Sequence, residues 1–141
     1  MRQLIWVLLL GSCIAPRQAP MIPVPDEILP HFGLEGKAAG TKCGINNEPY
    51  IMVRGSLINN NPVMFLILEH EQEHVRQLQG NCWRVLSRYM KDVAFQGEME
   101  NAAHCASIRM ARKLHIFDVA RLRERYDSLL RASYGRGFKC S

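Results

Sequence analysis

The chain has 141 residues and a net charge of +5, enough for one domain. It is too short for a dinucleotide-binding enzyme of the doubly wound type or an eight-stranded α/β barrel. With 48% hydrophobic and 22% charged residues, and ordinary numbers of Gly and Pro, it is neither a disordered nor a collagen-like nor a low-complexity chain.

The first apolar run, Leu4 to Leu10, follows Arg2. A bilayer span takes about 20 residues, so this run is too short to cross a membrane, but it has the pattern of a secretory h-region. Cleavage after Ala15 or Ala19 would leave Pro16 or Pro20 as the first residue, a poor peptidase site. The stretch Leu10-Gly11-Ser12-Cys13 resembles the lipobox of bacterial lipoproteins. That resemblance implies cleavage before Cys13, a lipid on its sulfur, and an exported protein held to a bacterial membrane. Ile14 in place of Asp implies sorting to the outer membrane, as in enterobacterial lipoproteins. The competing reading is a short uncleaved anchor. Residues 14–25 carry four prolines and read as an extended tether. The organisation expected is thus a signal over 1–12, a tether over 13–25 and one domain over 26–141. Beyond Cys13 there remain Cys43, Cys82, Cys105 and Cys140. An even number in an exported domain suggests two disulfides, with three possible connectivities. Their spacings match no zinc ribbon.

Residues 26–48 are rich in Gly and Asn and read as loops with a short helix or hairpin. Residues 49–54, PYIMVR, read as a strand stopped by Gly55. Asn61-Pro62 is a helix start, and no breaker follows until Gly80. A second helix is predicted from Cys82 to Phe95, with Trp83, Leu86, Tyr89, Met90 and Val93 at helical spacing. A third runs from about Glu98 to Leu114 with a stripe of Met99, Ala102, Ala103, Ala106 and Met110. Asp118 caps a fourth, with Val119, Leu122, Tyr126, Leu129 and Leu130 inward. The tail after Gly135 is loose unless Cys140 is bridged. The fold class predicted is α+β, mostly helical: short strands packed on a central helix and two or three further helices.

Residues 70–74 read His-Glu-Gln-Glu-His, an H-E-x-x-H motif. On a helix, His70 and His74 share a face, so both imidazoles can meet one ion. Glu71 is rotated toward the side where the ion's water would sit. Zinc lowers the pKa of such a water toward about 7, and a carboxylate can take its proton. The plainer reading is a solvated charged face, Glu69 to His74, laced by i,i+4 pairs. No third His follows at the metzincin spacing. His31 and His115 read as surface or core histidines.

Two His leave a catalytic zinc one protein ligand short, and a Glu is a usual third. The motif, together with EMENAAHCA at 98–106, resembles the gluzincin metallopeptidases, especially small single-domain ones, over about residues 50–110. These pair H-E-x-x-H with a downstream E-x-E-A-(D/N) helix. The resemblance implies peptide hydrolysis at one catalytic Zn2+, with His70, His74 and Glu98 as ligands, and a water activated by Glu71, then proton donor. It also implies a strand, Tyr50 to Arg54, beside the cleft to bind an extended protein or peptide substrate. The chain departs from the pattern at Asn101 and Ala102. A second register makes Glu100 the ligand with His104 as its same-face partner. Glu98 and Glu100 flank the apolar stripe equally, so periodicity does not choose between them. Tyr50, Tyr89, His104 and Tyr126 are candidate donors to a tetrahedral oxyanion.

From Cys105 onward, nine Lys and Arg stand against three Asp and Glu. Such a basic stretch is a solvated helix face or meets phosphate-bearing envelope lipid; no nucleic acid is expected for an exported chain. The leading expectation is an exported, membrane-tethered zinc metallopeptidase. The alternative is a non-catalytic envelope lipoprotein using the same fold as a binding or structural module, and a third is a cytosolic metalloprotease-like regulator.

Overall fold

The computed structural model describes residues 19–58 and 61–140. Cys13 and the signal over 1–12 lie outside them. The chain is α+β and mostly helical, as its periodicity predicts. In order come β1 (Met21–Val24), a 3-10 helix (Asp26–Phe32), β2 (Ala39–Cys43), β3 (Pro49–Arg54) and a short 3-10 turn (Gly55–Leu57). Four helices follow: α1 (Pro62–Leu78), α2 (Cys82–Tyr89), α3 (Val93–Leu114) and α4 (Val119–Tyr134). No described helix is long and apolar enough to cross a membrane.

The sheet order is β1-β3-β2, with β1 parallel and β2 antiparallel to β3. Two sequence expectations change here. The Pro-rich tether over 13–25 gives up its end to the sheet, where Met21 to Val24 pair with Ile51 to Arg54. Pro23 fits because β1 is an edge strand, where a residue without an N–H is tolerated. The strand Tyr50 to Arg54 is the middle of the sheet rather than its rim, so its backbone is paired on both sides. The free edge beside α1 belongs to β2.

Sheet, α1, α3 and α4 are stacked in that order. Asn61 Oδ1 accepts the Val63 N–H at 3.0 Å and opens α1. At the other end Gly80 takes φ 83°, a left-handed turn open to glycine without strain. Ile51, Val53, Met64 and Val75 are buried between sheet and α1. On the other side α3 comes close because Ala103 and Ala106 are small and fully buried. Ser107 donates to the Leu66 carbonyl at 2.8 Å, a direct hydrogen bond from α3 to the α1 backbone.

The helix predicted over 82–95 is broken. Asp92 accepts the Phe95 N–H at 2.9 Å and starts α3 at Val93, so local capping overrides a continuous apolar pattern. Trp83, Met90 and Val93 are consequently exposed. Trp83 lies on the β2–β3 hairpin instead, donating its indole N–H to the Gly44 carbonyl at 3.0 Å. Beside it Cys43 is bonded to Cys82, with Cα atoms 5.7 Å apart. In α4 the Asp118 cap forms, and Leu130 is fully buried whereas Leu129 is exposed.

Cys105 is bonded to Cys140, and the tail is held. Asn101 donates to the Lys139 carbonyl at 2.7 Å and accepts its N–H at 2.9 Å. This two-way clasp gives Asn101, the first departure from the gluzincin pattern, a structural task. Each disulfide closes a loop of some 35 to 39 residues. The chain-entropy estimate for such loops is about 4 kcal/mol each. Replacing Cys43 and Cys82 by Ser is expected to lower the unfolding free energy by about that amount, read from denaturant unfolding.

Candidate metal centre

The buried stretch of α1 faces α3 through one turn. His70 and His74 stand four residues apart on one face, with Nε2 atoms 3.1 Å apart. Opposite them α3 presents Glu100, whose Oε2 is 3.3 Å from His70 Nε2 and Oε1 3.4 Å from His74 Nε2. Glu98, the ligand implied by the resemblance, is exposed and takes no part in this cluster. The carboxylate that meets the two imidazoles is that of the second register, Glu100. His104 comes with it one turn on, its ring centroid 4.7 Å from that of His70. His70, Glu100 and His104 place three ligand atoms within 4.8 Å of one another, so this group can hold a metal ion.

The donor spacing tests the fit. Metal–ligand bonds of about 2.0 to 2.1 Å to a tetrahedral ion put neighbouring donors about 3.3 Å apart. The two imidazole nitrogens, 3.1 Å apart, and the contacts of His70 with Glu100 Oε2 at 3.3 Å and of His74 with Glu100 Oε1 at 3.4 Å are each close to that spacing, one carboxylate oxygen facing each ring. The donor set of two imidazoles and one carboxylate is one that zinc accepts.

The surroundings hold these groups in place. Tyr89 donates to Glu100 Oε1 at 2.5 Å. Burial and the neighbouring Glu100 charge push the Tyr89 hydroxyl well above the usual phenol range, so it remains a donor. His74 Nδ1 is 2.9 Å from Gln77 Oε1. Glu71 lines the same cavity and is held from the β2 side, where the Thr41 hydroxyl donates to its Oε2 at 2.7 Å. His104 stacks on Tyr126 with centroids 4.2 Å apart, and its buried Nδ1 has no hydrogen-bond partner among the described residues. Burial, then the nearby His70, lower its pKa to about 4, so the ring is neutral at pH 7. Tyr50 packs with Val24, Leu29, Leu34 and Met52, away from this site.

No family model matches the chain, and no curated protein or solved structure matches it.

Gln77 and Thr41 carry no motif signal. Gln77 could have been found only as a polar residue one turn beyond His74. Thr41 reaches Glu71 from a distant segment, and only the folded chain brings them together.

Without metal, the cluster is an ion pair. Burial acts to lower the His74 pKa, but Glu100 and then Glu71 outweigh it and raise it. Burial acts to raise the Glu100 pKa, but hydrogen bonds from His70 and His74 hold the carboxyl well below the usual range. The Glu100 contribution to stability is present above the ordinary carboxylate pKa, about 4.3, and is lost as pH falls. The His74 contribution is present below the ordinary histidine pKa, about 6.5, and is lost as pH rises through its raised value. The melting temperature in excess chelator is therefore expected to peak between about pH 4.3 and 6.5, and Glu100→Gln to flatten both limbs.

Proposed function

We propose that this chain is a zinc-dependent peptide hydrolase, with His70, His74 and Glu100 as the metal-binding set and Glu71 as the general base. The observation that carries the reading is the meeting of two imidazoles and the Glu100 carboxylate at 3.1 to 3.4 Å, with a second carboxylate, Glu71, at the adjacent helical position. A zinc ion held there would act as a Lewis acid and make water acidic enough to attack at neutral pH.

The remaining work falls to the chain. The site opens into a cavity of about 980 Å³ lined by β2, α1, α3 and α4. Arg54 N–H bonds to the Ala38 carbonyl at 2.9 Å, and antiparallel alternation then turns the backbone groups of Ala39, Thr41 and Cys43 outward. An extended peptide can pair along that edge, which places its carbonyls beside the histidines. Glu71 takes the proton of the attacking water on Oε1, because Oε2 is held by Thr41, and returns it to the leaving nitrogen. His104, one turn on from Glu100, would bring a further nitrogen within reach of the same ion.

Two disulfides in so small a domain support export to an oxidising compartment. Export is the context in which a lipid on Cys13 would hold the enzyme at a membrane, acting on neighbouring proteins.

The test is the metal content of the purified oxidised chain beside His70→Ala. About one zinc per chain, lost in the variant, is expected. A folded wild-type chain that takes up no added zinc overturns the reading.

A further inference from the structure

The Gln77 side chain is fixed at both ends. Its Nε2 donates to the Met99 carbonyl at 3.1 Å. A carbonyl only accepts, so the amide cannot be reversed, and Oε1 must face His74. An amide oxygen also only accepts, so the His74 nitrogen 2.9 Å away, Nδ1, must carry its hydrogen. In the neutral ring the lone pair then lies on Nε2, the atom turned toward His70 and Glu100.

We infer that Gln77 is a positioning residue for the metal centre: it locks His74 in the Nδ1–H tautomer and, through Met99, ties the α1 ligands to the α3 segment that carries Glu100. The inference rests on the metal-site reading above and adds to it a residue outside the H-E-x-x-H motif. Metal-bound histidines need such an acceptor behind the ring, since it fixes both tautomer and orientation. Here it comes from the same helix, three residues on. Met99 immediately precedes Glu100, so one amide sets the spacing of imidazole and carboxylate together.

The experiment uses two readouts on the wild type, Gln77→Leu and Gln77→Glu. Long-range proton–nitrogen NMR of the metal-free protein at about pH 9, above the ordinary histidine range, reads the His74 tautomer without any ion. Competition with a chromophoric chelator reads zinc affinity. Gln77→Leu is expected to lose the Nδ1–H signature and bind zinc about 10- to 100-fold more weakly. Gln77→Glu keeps an acceptor for Nδ1–H, so the tautomer is retained, while the lost donor to Met99 lowers the melting temperature and weakens zinc binding, by less than Gln77→Leu does. Should Gln77→Leu not fold, Gln77→Asn, one methylene short of His74, makes the same comparison. An unchanged tautomer and unchanged affinity in Gln77→Leu overturn the inference. A wild type that shows the Nδ1–H tautomer but no zinc binding overturns the metal reading instead, so the two failures are told apart.

Discussion

Glu71→Gln is expected to leave zinc bound and to lower kcat for peptide hydrolysis by about 10²- to 10⁴-fold. The substitution is nearly isosteric, and the residue is buried at 8% exposure, so shape matters. The Thr41 hydroxyl, 2.7 Å from Oε2, can donate equally well to an amide oxygen. It also lies 3.1 Å from the Glu71 backbone carbonyl, a contact the variant keeps. The hydrogen bonds of His70 and His74 run to each other, to Glu100 and to Gln77, so the metal-binding set is undisturbed. What disappears is the one carboxylate, among the described residues that line the cavity, able to accept a proton without being a ligand. Zinc content and steady-state hydrolysis of a peptide library, read on the same preparation, check the expectation. Hydrolysis at the wild-type rate in the variant would mean that Glu71 is a structural partner of β2 and that another group is the base.

Much of the fold can be read along the chain, because its signals are local. Asn61-Pro62 and Gly80 bracket α1, Asp118 opens α4, and the β-prone run 49–54 is β3. The misreadings have specific causes. Asp92 has two local options, to continue a helix on its i,i+4 pattern or to cap the next one, and the cap wins. The tether reading of 13–25 fails at its end because proline composition cannot show that β3 has a free side on which Met21 to Val24 can pair. Strand order is likewise a non-local property, so nothing in residues 50–54 alone shows that β2 rather than β3 takes the place beside α1. Of the site, the two histidines and Glu71 are visible as a motif on a helix. Thr41, 30 residues before Glu71, and the Met99 carbonyl, 22 residues after Gln77, become partners only through packing.

Glu98 and Glu100 are equivalent on a wheel of α3 alone. Successive residues turn by about 100°, so both carboxylates sit about 100° from the buried Met99, on opposite sides of it. Which side faces α1 depends on where α3 docks. That docking is fixed by Ala103, Ala106 and Ser107, and it turns Glu100 inward and Glu98 to solvent. Glu100→Gln is therefore expected to weaken zinc binding by about two to four orders of magnitude. This follows from a binding free energy of about 10 to 16 kcal/mol shared among three or four ligands. Glu98→Gln is expected to change it by less than about twofold, as for an exposed residue away from the ion. Chelator competition on the two variants separates them. Loss of zinc in Glu98→Gln with none in Glu100→Gln would require α3 to be rotated by about 200° on α1. That rotation would expose Ala103 and Ala106 and break the Ser107 bond to Leu66, so the same result would also have to appear as a different packing of the whole helix pair.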